Sequence, residues 1–364
     1  MSAYDVVVVG GGIGGLTVAA LLSARGLQTC LLERQSQVGG CIARVEFSGY
    51  DFEPGMGLYP SFGAGEVYDK LFAQLPVAAP EVSLLTSAYV LRRADGSDVK
   101  VATEDLYSIA GGPATVAERL AESIRKSGGN LRLNSPVLRL AYDEAGQAVG
   151  VDLLSGERVF ARKAIVSNLT IWDTYGKLVG LNRTPGEIKK RLKELSGTGV
   201  YVVYAGIEES ALARLPAERM RVEDGEGEFT LAISSSGVAP EGKRGVTLTT
   251  RTEVDSWFAY QSSEEDYEEW DQEALANFWS RLHAAVPELG GDIEVIETAN
   301  PRTYYDSTRR KLGMVMGIDE GVELGHQTSL GNVFMVGDTV SAEARLDVVV
   351  ESAILLVEAV VGQD

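Results

Sequence analysis

Glycines at positions 10, 12 and 15, followed by an acid at Glu33, have the spacing of a device that holds a dinucleotide. In such a device Gly10 permits a tight turn, Gly12 lets backbone approach a pyrophosphate, and Gly15 lets a helix pack close to its strand. A helix starting after Gly12, through Ile13 and Gly14, aims unpaired N–H groups at the phosphates, where the partial positive charge of the helix end favours them. Glu33 comes about 20 residues after the glycines, placed to accept hydrogen bonds from ribose hydroxyls. The alternative is a bare strand-to-helix turn with Glu33 as an exposed strand-end acid.

The elements around these residues are in register for the first reading. Residues 6–9 form an apolar run suited to a buried parallel strand, an Ala/Leu-rich helix runs through Ala19 and Leu22 to Gly26, and a second strand ends in Leu31-Leu32-Glu33-Arg34. Downstream, residues 40–63 are dense in glycine and aromatics (Tyr50, Phe52, Gly55, Met56, Gly57, Tyr59), which suggests backbone lying against something flat or bulky. Residues 66–75 read as a short helix, and 89–92 with 99–102 as a hairpin turned by Asp95-Gly96. Residues 113–127 read as a helix, with Val116, Leu120 and Ile124 on one face and Gly128-Gly129 ending it. Strands at 131–133, 137–142, 148–153 and 159–161 form a meander, and a further short strand at 164–166 closes on Ser167-Asn168. The middle of the chain differs: strand patterns at 199–205, 229–234 and 245–251, with a long helix over 264–285, describe a separate mixed sheet with covering helices. Residues 333–336, running into Gly337-Asp338 and a helix from about Leu346, return to the first domain.

Composition excludes several classes. The 364 residues suffice for two domains, and 33 basic against 52 acidic residues leave a net charge of −19, which disfavours nucleic acid and anionic membrane surfaces as partners. Cys30 and Cys41 make no disulfide framework or metal site. The longest apolar segment, 346–361, is interrupted by Asp347, Glu351 and Glu358 and falls short of the ~20 residues of a span, so no integral membrane segment is expected. The start of the chain has no secretory pattern, and a cytoplasmic setting is the expectation. His283 and His326 lack acid partners at readable spacing, which argues against Ser-His-Asp chemistry and metal sites. The acidic run 264–273, with Tyr267 and Trp270, reads as a solvated helix with inward aromatics. Oligomeric state is not legible.

The sequence resembles the FAD-dependent superfamily of phytoene desaturases, carotenoid isomerases, retinol saturases and flavin amine oxidases. The resemblance rests on residues 9–15, Glu33-Arg34, Val38-Gly39-Gly40, 50–55, 111–120, 128–137, 164–168, 298–317, 336–338 and 348–353. The 111–168 and 298–317 blocks point toward the desaturase and isomerase branch. It implies an α/β fold: a discontinuous Rossmann-like FAD-binding domain from 1–62, 111–170 and 325–364, and a mixed α+β substrate domain from 63–110 and 171–324. Carried over by position, Glu33 holds the adenosine ribose, Arg34 lies beside the adenine or in solvent, and Val137 pairs its backbone with adenine. Residues 12–15 hold the pyrophosphate, Gly39, Gly40 and Cys41 run along the ribityl chain, and Gly55, Met56 and Gly57 line the isoalloxazine. Asp338, after Gly337, binds ribityl or phosphate-side hydroxyls, and Asn168, Leu346 and Val348 belong to the same site.

Three departures shape the expectation. Cys41 stands where the family has Arg or Lys, and reads as a small apolar filler. Residues 339–347 replace a glycine-rich stretch with bulkier side chains; they either push that loop away from the flavin or bring Arg345, the one candidate catalytic residue, near the flavin N1–C2 carbonyl. Only residues 103–110 stand where desaturases carry a long helical insertion, so a substrate cap is missing or minimal and a C40-type carotenoid is disfavoured. The expected function is an FAD-dependent oxidoreductase moving hydride between flavin N5 and a C–H bond of an apolar or amphipathic small molecule, by desaturation, saturation or redox-neutral isomerisation. Alternatives are a flavin amine oxidase, with Tyr59, Tyr304 and Tyr305 lining the substrate side or packing the core, and a flavoprotein whose FAD is structural, serving as a binding or assembly factor. A dehydrogenase using NAD(P) alone is disfavoured, because no second glycine fingerprint appears.

Overall fold

The computed structural model describes residues 3–86, 89–102, 105–234, 237–259, 264–315, 325–340 and 343–362. Residues 103–104 of the shortened cap stretch, Met316 and Gly317 of the 298–317 block, and Ser341 and Ala342 of the 339–347 loop lie outside the described residues.

The first sheet is built on the strand Ala3–Val9, whose Val6 to Val9 are buried because apolar side chains pack on both of its faces. Across the sheet the order is Asn130–Arg132, Thr29–Leu32, Ala3–Val9, Arg158–Ser167, Ala148–Leu153 and Val137–Tyr142, and Val333–Met335 also pairs with Arg158–Ser167. Alternation along Ala3–Val9 sends Val6 and Val8 to one face, against Leu16, Leu120, Ile124 and Leu356 of the helices Ile13–Ala24, Ala114–Lys126 and Leu346–Val361. Val7 and Val9 go to the other face, with Leu140, Val151, Ile171 and Trp172.

Two expectations need correction here. Asn130–Arg132 is not in the meander: it pairs in parallel with Thr29–Leu32, at the edge opposite Val137–Tyr142. The helix Ala114–Lys126 carries the chain across the sheet face first, so the strand that follows enters parallel. The short strands read at 159–161 and 164–166 are one ten-residue strand, Arg158–Ser167. Arg162 and Lys163, which fall between the two, sit exposed in its middle, where the Arg162 guanidinium reaches Asp5 at 3.1 Å.

The second sheet runs Ile293–Ala299, Gly199–Glu208, Lys243–Thr252, Glu228–Ile233, Arg219–Glu223, Tyr89–Arg92 and Asp98–Val101. It is antiparallel except where Arg219–Glu223 meets Tyr89–Arg92. The helix Glu264–Ala285 covers one face, burying Phe278 and Leu282 against Val203, Ala205 and Val246. The other face carries Val200, Val202 and Tyr204 and packs with Tyr50 and Phe52 of the first glycine-rich stretch. The 63–110 segment contributes to both cores: Leu71 and Phe72 of the helix Val67–Phe72 join the first domain's core, while the 89–101 hairpin extends the second sheet. Among the described residues no helix is long and apolar enough to cross a membrane.

Candidate functional site

At the end of Ala3–Val9 the chain turns through Gly10, whose φ of +101° a side chain would disfavour, into a helix capped by Gly12 with no side-chain hydrogen bond. The first N–H groups of that helix are therefore left for a ligand to satisfy. Asn168, just past the end of Arg158–Ser167, fills the space under the loop. A Cβ on Gly12 would lie 2.6 Å from its Nδ2, one on Gly14 2.8 Å from its Oδ1, and one on Gly337 3.2 Å from the same oxygen. Gly15 answers a different need, since a Cβ there would collide with the Gly10 carbonyl oxygen. Glu33 is already fastened: Oε2 accepts from Gly11 N–H at 2.6 Å and Oε1 from Gln35 N–H at 2.7 Å.

A cavity of about 1410 Å³ opens from this loop and extends to the second sheet. Of the residues expected at the site, Gly10, Gly12, Ile13, Gly14, Glu33, Arg34, Gly39, Gly40, Cys41, Gly55, Met56, Gly57, Val137, Asn168, Gly337, Asp338, Arg345 and Leu346 line it. Gly15 and Val348 do not, although Val349 does. Tyr59 and Tyr304 also face it. Tyr305 instead packs its ring edge-on to Phe258, and His283 and His326 lie elsewhere, against Trp279 and the Met335 carbonyl.

Sequence reasoning missed the far wall and its charge. Val200, Val202, Tyr204, Thr247, Thr249 and Val315 close the cavity from the second domain, and Arg309 and Arg310 enter from the turn after the helix Pro301–Thr308. The run Arg309-Arg310-Lys311, basic in a chain of net charge −19, was the available signal. Arg310 grips Asp338 with both arms, Nη1 to Oδ1 at 3.0 Å and Nη2 to Oδ2 at 2.5 Å, while its Nε donates to the Met314 carbonyl at 2.5 Å. Burial opposes the Arg310 charge, but its neighbours, Asp338 foremost and Asp173 among them, together outweigh it and hold the guanidinium above its ordinary value.

Other groups have definite electrostatic settings. Burial pushes the Cys41 thiol up, which Arg310 offsets only in part, so Cys41 is a neutral thiol at neutral pH. Arg345 lies with its guanidinium on Asp347, at 2.6 and 3.2 Å, and on Glu343 at 3.3 Å; its side chain is 56% exposed. Tyr59 donates to Glu53 at 3.1 Å, and burial followed by the Glu53 charge keeps its phenol well above the ordinary range. Burial also raises Tyr304, which lies in the same cluster as Tyr204. Arg34 Nη1 is buried without a partner among the described residues, an unsatisfied donor on the same side as Glu33. Glycines that no side chain could replace, uncapped helix N–H groups and an orphaned guanidinium donor together fit a dinucleotide such as FAD.

The NAD(P)-binding Rossmann-like domain family matches residues 8–75, and the flavin containing amine oxidoreductase family matches residues 94–361. Among curated proteins, prolycopene isomerase of Arabidopsis thaliana is 27% identical over 248 residues, covering 63% of this chain and 41% of its own. A carotenoid 3,4-desaturase of Haloarcula japonica is 35% identical over 101 residues, 28% of this chain and 20% of its own. All-trans-retinol 13,14-reductase of Danio rerio is 24% identical over 272 residues, 62% and 45%. The chain thus spans less than half the length of these relatives. An oxidoreductase from Methanosarcina mazei shares the fold at TM-score 0.72 and 13% identity, over 96% of this chain and 99% of that one. An engineered putrescine oxidase does so at 0.69 and 14%, over the full length of both.

Proposed function

The chain belongs to the flavin containing amine oxidoreductase family, and on that premise we propose that it is an FAD-dependent oxidoreductase exchanging hydride with a C–H bond of an apolar or amphipathic small molecule. One observation carries the reading: the cavity that starts at the dinucleotide loop ends on an apolar wall, Val200, Val202, Tyr204 and Val315, contributed by a different domain. FAD, when bound, supplies the two-electron chemistry, so the protein's part is to orient, exclude water and tune charge. Gly55 and Gly57 bring bare backbone to the floor of the same cavity, with the Met56 side chain between them. Val200 and Val202 present no polar group that a hydrocarbon would leave unpaired, while Thr249 offers a hydroxyl to the polar end of an amphipathic ligand; the Thr247 hydroxyl already donates to the Glu53 carbonyl at 2.8 Å. Tyr59, held neutral by burial and Glu53, orients rather than ionises.

The names of the curated relatives point to polyenes and retinoids as the compounds to try first. The test is anaerobic: protein with reduced and with oxidised FAD is mixed with an apolar polyene and with all-trans-retinol, and flavin absorbance and product isomers are followed. The reading expects flavin oxidation, flavin reduction or isomer conversion with at least one such compound. Silence toward all of them, with unchanged flavin, contradicts it.

A second reading, amine oxidation, is favoured by the neighbouring aromatic residues Tyr204 and Tyr304 on the cavity wall. Hydrogen peroxide released from a panel of amines in air would select it.

A further inference from the structure

We propose that Arg310 is a phosphate clamp lent by the second domain: anchored on Asp338, it turns its remaining N–H donors to the pyrophosphate of FAD. The proposal rests on the FAD reading above.

Position is the first argument. Asp338 follows Gly337, which packs against Asn168, and Asn168 in turn packs under Gly12 and Gly14 where the helix Ile13–Ala24 begins. Gly40 closes the same spot, since a Cβ there would stand 3.5 Å from the Gly12 Cα. Arg310, held on Asp338 and lining the same cavity, is thereby brought beside the loop whose N–H groups receive phosphate.

Donor accounting is the second. A guanidinium carries five N–H donors in a rigid fork. The contacts to Met314 O, Asp338 Oδ1 and Asp338 Oδ2 engage Nε and one hydrogen on each Nη, leaving one on each Nη. Charge is the third. A lone Asp338 carboxylate beside the phosphate loop would repel the anion, and so would the net charge of −19. Paired with Arg310, Asp338 is neutralised, and planar donors remain for phosphate oxygens, a match Lys lacks.

The experiment titrates apoprotein with FAD by flavin fluorescence, for wild type, Arg310→Met and Arg310→Lys, with ADP and adenosine as competitors. We expect Arg310→Met to bind FAD roughly ten- to hundredfold more weakly, the scale of one or two charge-assisted hydrogen bonds, with Arg310→Lys between it and wild type. Competition by ADP should weaken in both variants while competition by adenosine stays unchanged, a split that a merely structural role would not produce. Should Arg310→Met fail to fold, Arg310→Lys still carries the comparison. Unchanged FAD affinity in a folded variant, or equal losses for ADP and adenosine, overturns the clamp alone. A wild type that takes up no FAD overturns the cofactor reading and the clamp with it.

Discussion

The Glu33 carboxylate accepts the Gly11 amide at 2.6 Å across 22 residues of sequence, tying the end of the second strand to the glycine turn. With Gln35 N–H on the other oxygen, the acid is oriented before any ribose arrives, and each oxygen keeps lone-pair capacity for a hydroxyl. This also explains the middle glycine of the Gly10-Gly11-Gly12 run: a Cβ on Gly11 would stand 3.1 Å from Glu33 Cβ and Oε2.

Removing that acid is expected to weaken the cofactor more than the fold. Glu33→Gln keeps the shape but turns one acceptor into a donor facing an amide. It should cost roughly tenfold in FAD affinity, the scale of a hydrogen bond to a charged group. Flavin fluorescence titration measures this, and wild-type affinity in the variant would remove Glu33 from the site.

Gly15→Ala should destabilise the first domain by about 2–3 kcal/mol, because the new methyl meets the Gly10 carbonyl, backbone that cannot swing away. Gly176→Ala is the control, with open space at its Cβ and ordinary φ. Urea midpoints of the two should separate clearly; coincident midpoints would mean that the strand–helix contact is looser than described.

Arg345→Met is expected to leave the reduction potential of bound flavin unchanged. The guanidinium is turned onto Asp347, itself held by Ser61 at 2.9 Å, and onto Glu343. Removing a cation from beside reduced flavin would lower the potential, so a drop on spectroelectrochemical titration would restore Arg345 to the flavin edge.

The second domain should lose stability in acid through Arg92, which is buried and grips both Asp98 and Glu288 at 2.8 Å. Hydrogen bonds from Arg92 hold both carboxyls below their ordinary values. Their contribution is present above the usual carboxylate range, near pH 4, and is lost as pH falls through the depressed folded values. Arg92→Met should cost about 1–3 kcal/mol at neutral pH, and its stability should fall less than that of wild type between about pH 5 and pH 2. Parallel pH profiles of urea unfolding for the two proteins would refute this.

What sequence could reveal tracks how local each cause is. The loop from Gly10 to Gly15, the helix Leu346–Val361 and the hairpin at Asp95-Gly96 follow from short-range patterns and were legible. Asn130–Arg132 was misplaced because a three-residue strand carries no sign of which edge it joins. Arg219–Glu223 and Ile293–Ala299 went unread, since charged residues alternate with their apolar ones and each finds its partners only in the assembled sheet. For Arg310 the basic run 309–311 was a signal, but its partner was not legible, since that partner is Asp338, 28 residues away, together with the Met314 carbonyl.

The central claim is that one dinucleotide spans the glycine loop, Asp338 and the floor at Gly55–Gly57. The most direct measurement is the visible spectrum of the purified protein, with chromatographic identification of whatever denaturation releases. The account predicts a yellow protein that yields FAD at about one per chain, or a pale one that takes up FAD to that ratio. A colourless protein that stays empty in excess FAD would contradict it.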